Sequence, residues 1–221
     1  MKKTILMIMT IASMINNSKA QEVEVVQENR MDFRDRCLFG IKVGVNYSNV
    51  YDTQGEAFQS DPKLGLAAGM FLAIPIGRFF GIQPEVLFSQ KGFQATGMLL
   101  NNTYDFTRTT NYVDVPLLFA LKPGGLLTLL AGPQFSYLMK QKDVFANATT
   151  SIDQEKEFEN ANIRKNILGF VVGADITIKH IVLGVRAGWD VQNNNGDGTS
   201  TTPRYKNVLY QATIGYRFFN Y

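Results

Sequence analysis

Eight charged residues occupy equivalent places in a recurring alternation: Lys42, Lys91, Arg186 and Arg217 against Glu85, Asp114, Asp175 and Asp190. Four cations and four anions on one side of a sheet suit two kinds of chemistry. One is a site for a small ligand or ion, for which Arg186, Asp190, Glu85, Asp114 and Arg217 are the candidates. The other is a structural network in which each charge neutralises a neighbour. The second is the simpler reading, because removing one partner of a buried pair strands the other charge at a cost of about 3–5 kcal/mol. Other reactive groups are scarce. His180 is the single histidine, and it falls in a short turn, away from the rim where a serine hydrolase would need its base beside a nucleophile. Cys37 is the single cysteine, so no internal disulfide forms. The stretch NNNGDGTSTTP (193–203) has some of the composition of a calcium loop, but Val191 stands where the first acid belongs and no bidentate Glu closes it. It reads as a loop, and DQEKEFE (153–159) reads as a solvated charge run. No catalytic residue, cofactor site or metal site is expected.

The elements that position these charges are strands. In IVLGVRAGWDV (181–191) every odd residue is apolar, while the even ones are Val182, Gly184, Arg186, Gly188 and Asp190. A period of two places successive side chains on opposite faces of a sheet. The same pattern recurs in GIKVGVNYS (40–48), LGLAAGMFLAI (64–74), FGIQPEVLFSQK (80–91) and YVDVPLLFAL (112–121). It continues in LLTLLAGPQFSY (126–137), LGFVVGADITI (168–178) and VLYQATIGYRF (208–218), which makes eight segments in all. Across all eight, the apolar face carries no charged residue, whereas the other face holds eleven of the 19 glycines and all eight charges named above.

The first twenty residues, MKKTILMIMTIASMINNSKA, have two lysines, a short apolar run and small residues at Ser18 and Ala20. That is the layout of a secretory signal peptide cut after Ala20. It holds three of the 22 Lys and Arg and none of the 19 Asp and Glu, so the remaining chain carries bases and acids in equal number. Without a basic surface there is no case for nucleic-acid binding.

Connections between the segments alternate in length. Those near Gly77-Arg78, at LKPGG (121–125) and at Lys179-His180 are short, while 49–63, 92–111, 138–167 and 192–207 read as long polar loops. Short turns at one end and long loops at the other are the layout of an outer-membrane barrel, with the turns in the periplasm. A sheet can cross hydrocarbon only by closing on itself, and eight strands leave an interior just wide enough for side chains to fill. The expected fold is therefore all-β, an eight-stranded antiparallel up-and-down transmembrane β-barrel with short periplasmic turns and long extracellular loops. Its apolar face meets lipid, and its glycine and charge face lines the lumen. A soluble lipocalin-like barrel would need the opposite arrangement. Tyr47, Tyr112, Tyr137, Trp189 and Tyr205 are expected in an outer aromatic girdle, with Phe39, Phe80, Phe218 and Phe219 in the inner one. The expected organisation is a signal peptide over 1–20, a periplasmic N-terminal arm over 21–38 and the barrel over 39–221. Pro84, Pro116 and Pro133 fall inside strands, where each deletes a ladder hydrogen bond.

Six stretches carry a resemblance: GIKVGVNYS (40–48), GIQPEVLFSQKG (81–92), YVDVPLLFALKP (112–123), LLAGPQFSYL (129–138), GADITI (173–178) and IGYRF (214–218). In this order they resemble the PorT-like outer-membrane β-barrels of the bacterial phylum Bacteroidota, and the three prolines lie inside the shared motifs. The resemblance implies an eight-stranded barrel in the outer membrane and supplies no catalytic residues. The family's namesake is associated with protein secretion across that membrane.

Three function classes are compatible with this reading. The leading one is a non-enzymatic membrane protein with a structural, interaction or secretion-accessory role. Its partners would be the lipid bilayer of the outer membrane and proteins met through the extracellular loops or the periplasmic arm. The second is a narrow pore for ions or small solutes, and the third an outer-membrane enzyme acting on lipid, against which the misplaced histidine argues. N-terminal sequencing of the protein extracted from membranes should begin at Gln21, and a mature chain that retains Met1 would remove the signal-peptide assignment.

Overall fold

The computed structural model describes residues 36–52, 60–99, 102–147, 151–156, 164–194 and 205–218. The signal peptide expected over 1–20, residues 21–35 of the arm, Phe219 and most of the 193–203 loop lie outside the described residues. Nine strands are found among the described residues: β1 Leu38–Asp52, β2 Asp61–Pro75, β3 Phe80–Leu99, β4 Asn102–Leu121 and β5 Leu127–Asn147, followed by β6 Ser151–Lys156, β7 Asn166–Ile178, β8 Ile181–Asp190 and β9 Tyr205–Phe218. Every strand pairs antiparallel with its neighbours, and β1 pairs with β9, from Phe39↔Phe218 to Asp52↔Tyr205. With β4–β5 and β5–β7 pairing as well, all strands except β6 form a closed eight-stranded ring. Among the described residues no helix is long and apolar enough to cross a membrane.

The alternation seen in the sequence becomes an inverted protein. Val43, Leu64, Val185 and Tyr210 are each more than half exposed, whereas Asn46, Ser48, Glu85, Ser89, Asp114 and Ser136 are fully buried. Small apolar clusters fill gaps between these polar groups, one of Leu118, Ala120, Leu130 and Val171 and another of Tyr112, Leu138 and Ile167. Exposed phenylalanines gather at the turn end, where Phe39 stacks on Phe218 at 5.8 Å and Phe80 meets Phe119 at 5.7 Å. Tyr47, Tyr137 and Trp189 are exposed toward the other end.

Two girdle expectations are corrected. Tyr112 is buried, and Tyr205 packs edge-on against Phe93 at 5.4 Å. The reason is parity. Tyr112 is in phase with Asp114, and Tyr205 with Asn207 and Gln211, so both side chains fall on the inner face.

The loop boundaries are also corrected. Residues 92–99 and 102–111 continue β3 and β4 as paired strands, and residues 138–147 continue β5, which β6 then joins from Gln141↔Lys156 to Ala146↔Ser151. β-branched and aromatic residues in TRTTNY and DVF favour extended backbone over loop. The face that points inward changes along the way. Asn111 pairs with Lys140 and Tyr112 with Leu138, which leaves Met139 as an extra residue. Such a bulge shifts the phase of a strand by one, so Leu138 is buried below it and Gln141 and Asp143 above it.

The prolines sit where pairing lapses. Pro84 aligns with Leu117, and the next β3–β4 partners are Leu87↔Asp114. Pro116 aligns with Gln134, and the next β4–β5 partners are Phe119↔Ala131. A residue without an N–H cannot donate to the ladder, and the closed ring tolerates each loss because pairing resumes on both sides.

Close strand contact makes some glycines indispensable. A Cβ added at Gly44 would lie 2.0 Å from the Ala212 carbonyl oxygen and 2.7 Å from the Thr213 Cα. Backbone atoms of a paired strand give way poorly, so Gly44→Val should lose about 3 kcal/mol, the upper end of overpacking costs. Urea unfolding in detergent micelles, and loss of the heat-modifiable band on gels, measure this. Gly124→Ala in a turn, with nothing within 4 Å, should leave both unchanged.

Candidate functional site

Among the described residues, three clusters hold most of the buried charged groups of the inner face. In the first, Arg186 of β8 grips Asp175 of β7 with both terminal nitrogens, NH1 to Oδ1 at 2.7 Å and NH2 to Oδ2 at 3.0 Å. Its NH2 also lies 3.5 Å from Glu85 Oε1. Glu85 accepts a hydrogen bond from the Lys42 ammonium of β1, and Gln83 Nε2 bridges Glu85 at 2.9 Å and Asp175 at 3.3 Å. All five side chains are buried.

Glycines create the room for this cluster. A Cβ at Gly184 would lie 2.6 Å from Asp175 Oδ1, and one at Gly173 would lie 2.5 Å from Arg186 Cδ. Arg186 pairs in register with Gly173, and Asp175 with Gly184, so each long side chain lies across its own partner glycine and the two meet on the diagonal. The barrel is narrow enough that bulk opposite either one would break the contact.

The second cluster is Lys91 of β3 with Asp114 of β4. Lys91 Nζ donates to Asp114 Oδ1 at 3.0 Å and to Ser136 Oγ at 3.4 Å, and it sits 4.7 Å from the centre of the Tyr112 ring. Beside these clusters, Asn46 binds Ser89 at 2.9 Å and accepts from Gln211 at 2.8 Å, which links β1, β3 and β9 across the lumen.

The third cluster lies toward the end away from the turns. Arg108 of β4 is held by Asp143 of β5 through Nε at 2.8 Å and NH2 at 2.7 Å, and it also donates to the Tyr205 hydroxyl. Its guanidinium lies among the rings of Phe93, Phe106 and Tyr205, 5.3 to 5.9 Å from their centres. Gln141 Nε2 donates to Asp143 at 3.0 Å. Burial works against the Arg108 charge, but Asp143 and Tyr205 outweigh it and hold the guanidinium above its ordinary range.

The eight expected residues therefore divide. Lys42, Glu85, Asp175 and Arg186 share one cluster, and Lys91 and Asp114 form another. Asp190 stands apart and accepts from the backbone N–H of Asn207 at 3.2 Å and from the Asn207 side chain. Arg186 and Asp190 do not pair. Four residues along one strand separate their Cα atoms by about 13 Å, beyond mutual reach when a carboxylate lies across the neighbouring strand. Arg217 sits at the turn end and donates to the Lys179 carbonyl at 3.2 Å. His180 stacks on Tyr216 with ring centres 5.1 Å apart, and Cys37 is exposed. Gln83, Asn46 and Gln211 share the parity of the charges, and that parity was the signal that marked them. Arg108 and Asp143 lie where the sequence reads as loop, so only their aromatic and β-branched neighbours marked them.

A family model described as an outer membrane protein beta-barrel domain matches residues 20–196. The chain belongs to that family. It is an integral outer-membrane barrel, and its exposed apolar belt is the surface that meets lipid. Among solved structures, it is similar to Ail, the attachment invasion locus protein of Yersinia pestis, at 14% identity over 82% of this chain and 98% of that one, with a TM-score of 0.47. Neisserial surface protein A matches at 8% identity over 81% and 97% of the two chains, with a TM-score of 0.46. OprG of Pseudomonas aeruginosa matches at 12% identity over 84% and 98%, with a TM-score of 0.41. No curated protein sequence matches the chain.

Breaking one of these pairs leaves a buried charge without a partner. Asp114→Ala should destabilise the barrel by about 3–5 kcal/mol, because the Lys91 charge is left buried without its carboxylate. Joint replacement by Lys91→Met and Asp114→Leu should recover most of that loss. Equilibrium urea unfolding in lipid vesicles, followed by Trp189 fluorescence, separates the two variants.

Proposed function

We propose that this protein is a non-enzymatic PorT-like barrel with a sealed lumen, serving a structural, interaction or secretion-accessory role. The observation that carries the reading is how little space is left beside the Arg186 cluster among the described residues. The void bordered by Glu85, Pro116, Gln134, Arg186 and Gln211 measures about 10 Å3, the room of a single water molecule. A lumen packed with paired charges lacks the width for solute, and its cations are engaged by carboxylates rather than held out to a passing ion.

With the interior filled, the work falls to the ends. On the outer side β3, β4 and β5 run on past the aromatic belt and take up β6, which displays a sheet to partners outside the cell. On the inner side the arm over 21–38, exported behind the signal peptide of 1–20, offers a second place to dock. The resemblance of six motifs to PorT-like barrels of Bacteroidota supports the secretion-accessory form of the role.

The competing reading is a narrow pore for ions or small solutes. Planar-bilayer recording of the purified barrel decides between them. The sealed barrel should show no steady conductance under an applied voltage, and a reproducible open level would overturn the proposal in favour of the pore.

A further inference from the structure

Among the described residues, the turn end of the barrel carries a one-sided charge. Residues 36–41, 74–82, 119–128, 176–183 and 213–218, which make up the turns and the strand ends they join, contain Arg36, Arg78, Lys122, Lys179 and Arg217 together with His180, and no acidic residue. The chain as a whole has 22 basic residues against 19 acidic, so this separation is local. At the other end the signs are mixed: Asp52, Asp61, Asp105 and Asp143 stand among Lys63, Arg108, Lys140 and Lys142.

The turns bearing these bases are also greasy. Ile76 is 66% exposed, Phe79 50% and Leu126 57%, and all three lie in the turns. The exposed rings of Phe39, Phe80, Phe119 and Phe218 lie directly above them. Apolar side chains of that size do not project into water from a short turn without reason. They place the turns in the bilayer interface, where aromatic residues anchor and where the flanking bases come level with the phosphate layer. Arg36, Arg78 and Lys179 are exposed at that level, and Lys179 holds a left-handed backbone conformation, φ 55°, at the tip of its turn. A backbone bond of 2.7 Å from the Lys122 N–H to the Phe79 carbonyl fixes two of the basic turns side by side.

We infer that this basic collar binds the anionic phosphate headgroups of the periplasmic leaflet, so that the barrel selects negatively charged phospholipid around its inner rim. The interface seating of the turns favours lipid over a soluble acidic protein, which would meet a collar projecting into water. The inference goes beyond the sealed-lumen role and does not depend on it. It needs only the orientation of the barrel and its embedding in the bilayer.

The test uses the full mature barrel in nanodiscs of phosphatidylcholine mixed with phosphatidylglycerol. After purification and partial delipidation, the lipid retained by the protein is quantified by mass spectrometry. Attraction of a Lys or Arg to an anionic surface corresponds to roughly a five-fold preference per group, so phosphatidylglycerol should be enriched several-fold and the enrichment should fall in high salt. The triple variant Arg36→Gln, Arg78→Gln and Lys179→Gln, which changes exposed side chains alone, should abolish the enrichment while keeping heat-modifiable mobility. The outer-end variant Lys140→Gln with Lys142→Gln should retain it. Equal retention of both lipids by the wild type, or an enrichment that survives the triple variant, would overturn the inference. So would a periplasmic protein that the triple variant no longer binds while lipid retention stays unchanged, because the collar would then serve a protein partner.

Discussion

Hydrocarbon offers no hydrogen bonds, so a sheet that crosses it has to satisfy every backbone N–H and C=O within itself. That requirement closes β1 onto β9 through fourteen consecutive register pairs, and the placement of nearly every side chain is a consequence of closure. Once the sheet is a ring, its outer face meets lipid and must be apolar. Its inner face is the only place in the membrane where a polar side chain can lie. The exposed belt of Val43, Leu64, Val185 and Tyr210 and the buried set of Asn46, Glu85 and Asp114 are two results of one constraint.

A ring of eight strands has little interior, and the clusters show how that space is used. Arg186 and Asp175 are long side chains laid over Gly173 and Gly184, so the glycines are the complement of the charges rather than a separate feature. The same packing that neutralises the charges fills space inside the ring. The void beside the Arg186 cluster has room for about one water, and the two ends of the barrel are unlike. One is an extended sheet of mixed charge built from β3 to β6. The other is a short, greasy, basic rim. The asymmetry matches two different surroundings, water beyond the outer leaflet and the headgroup layer of the inner one.

The architecture was legible because a period of two with opposite polarity on its two faces is a strong signal, and it ran through eight segments without a charge on the apolar side. Shape at longer range was less so. Residues 92–111 and 138–147 read as loops since beyond the bilayer the outer face meets water instead of lipid, the contrast between the two faces fades, and only β-branched and aromatic content remains to mark them. Residue type alone points Tyr112 and Tyr205 to the girdle, whereas their parity with Asp114 and Gln211 turns them inward. The pairing of charges was the least legible. Arg186 and Asp190 share one strand and one face, but strand geometry separates residues along one strand and joins those on neighbouring strands, so Asp175 is the partner of Arg186. Which carboxylate meets which base depends on register, and register is not written in any one segment.

The ionic filling of the lumen also bears on how register is chosen at all. Apolar side chains could have filled so narrow a space, and replacing buried ion pairs by well-packed apolar groups is often neutral or stabilising. A strand apolar on both faces, however, would sit equally well in lipid after slipping by one residue, because a one-residue slip exchanges its two faces. With Lys42, Lys91 and Arg186 on the inner face, the same slip drives a cation into hydrocarbon at a cost of about 2–4 kcal/mol each near the bilayer midplane. The penalty grows with every strand that carries a charge, and it is absent from the native register, where each cation has a carboxylate within reach. Pro84, Pro116 and Pro133 weaken the ladder locally, which makes hydrogen bonding a poorer guide to alignment along β3, β4 and β5. Lys91 and Asp114 lie on two of those three strands, so there the side chains fix the alignment that the backbone holds less firmly.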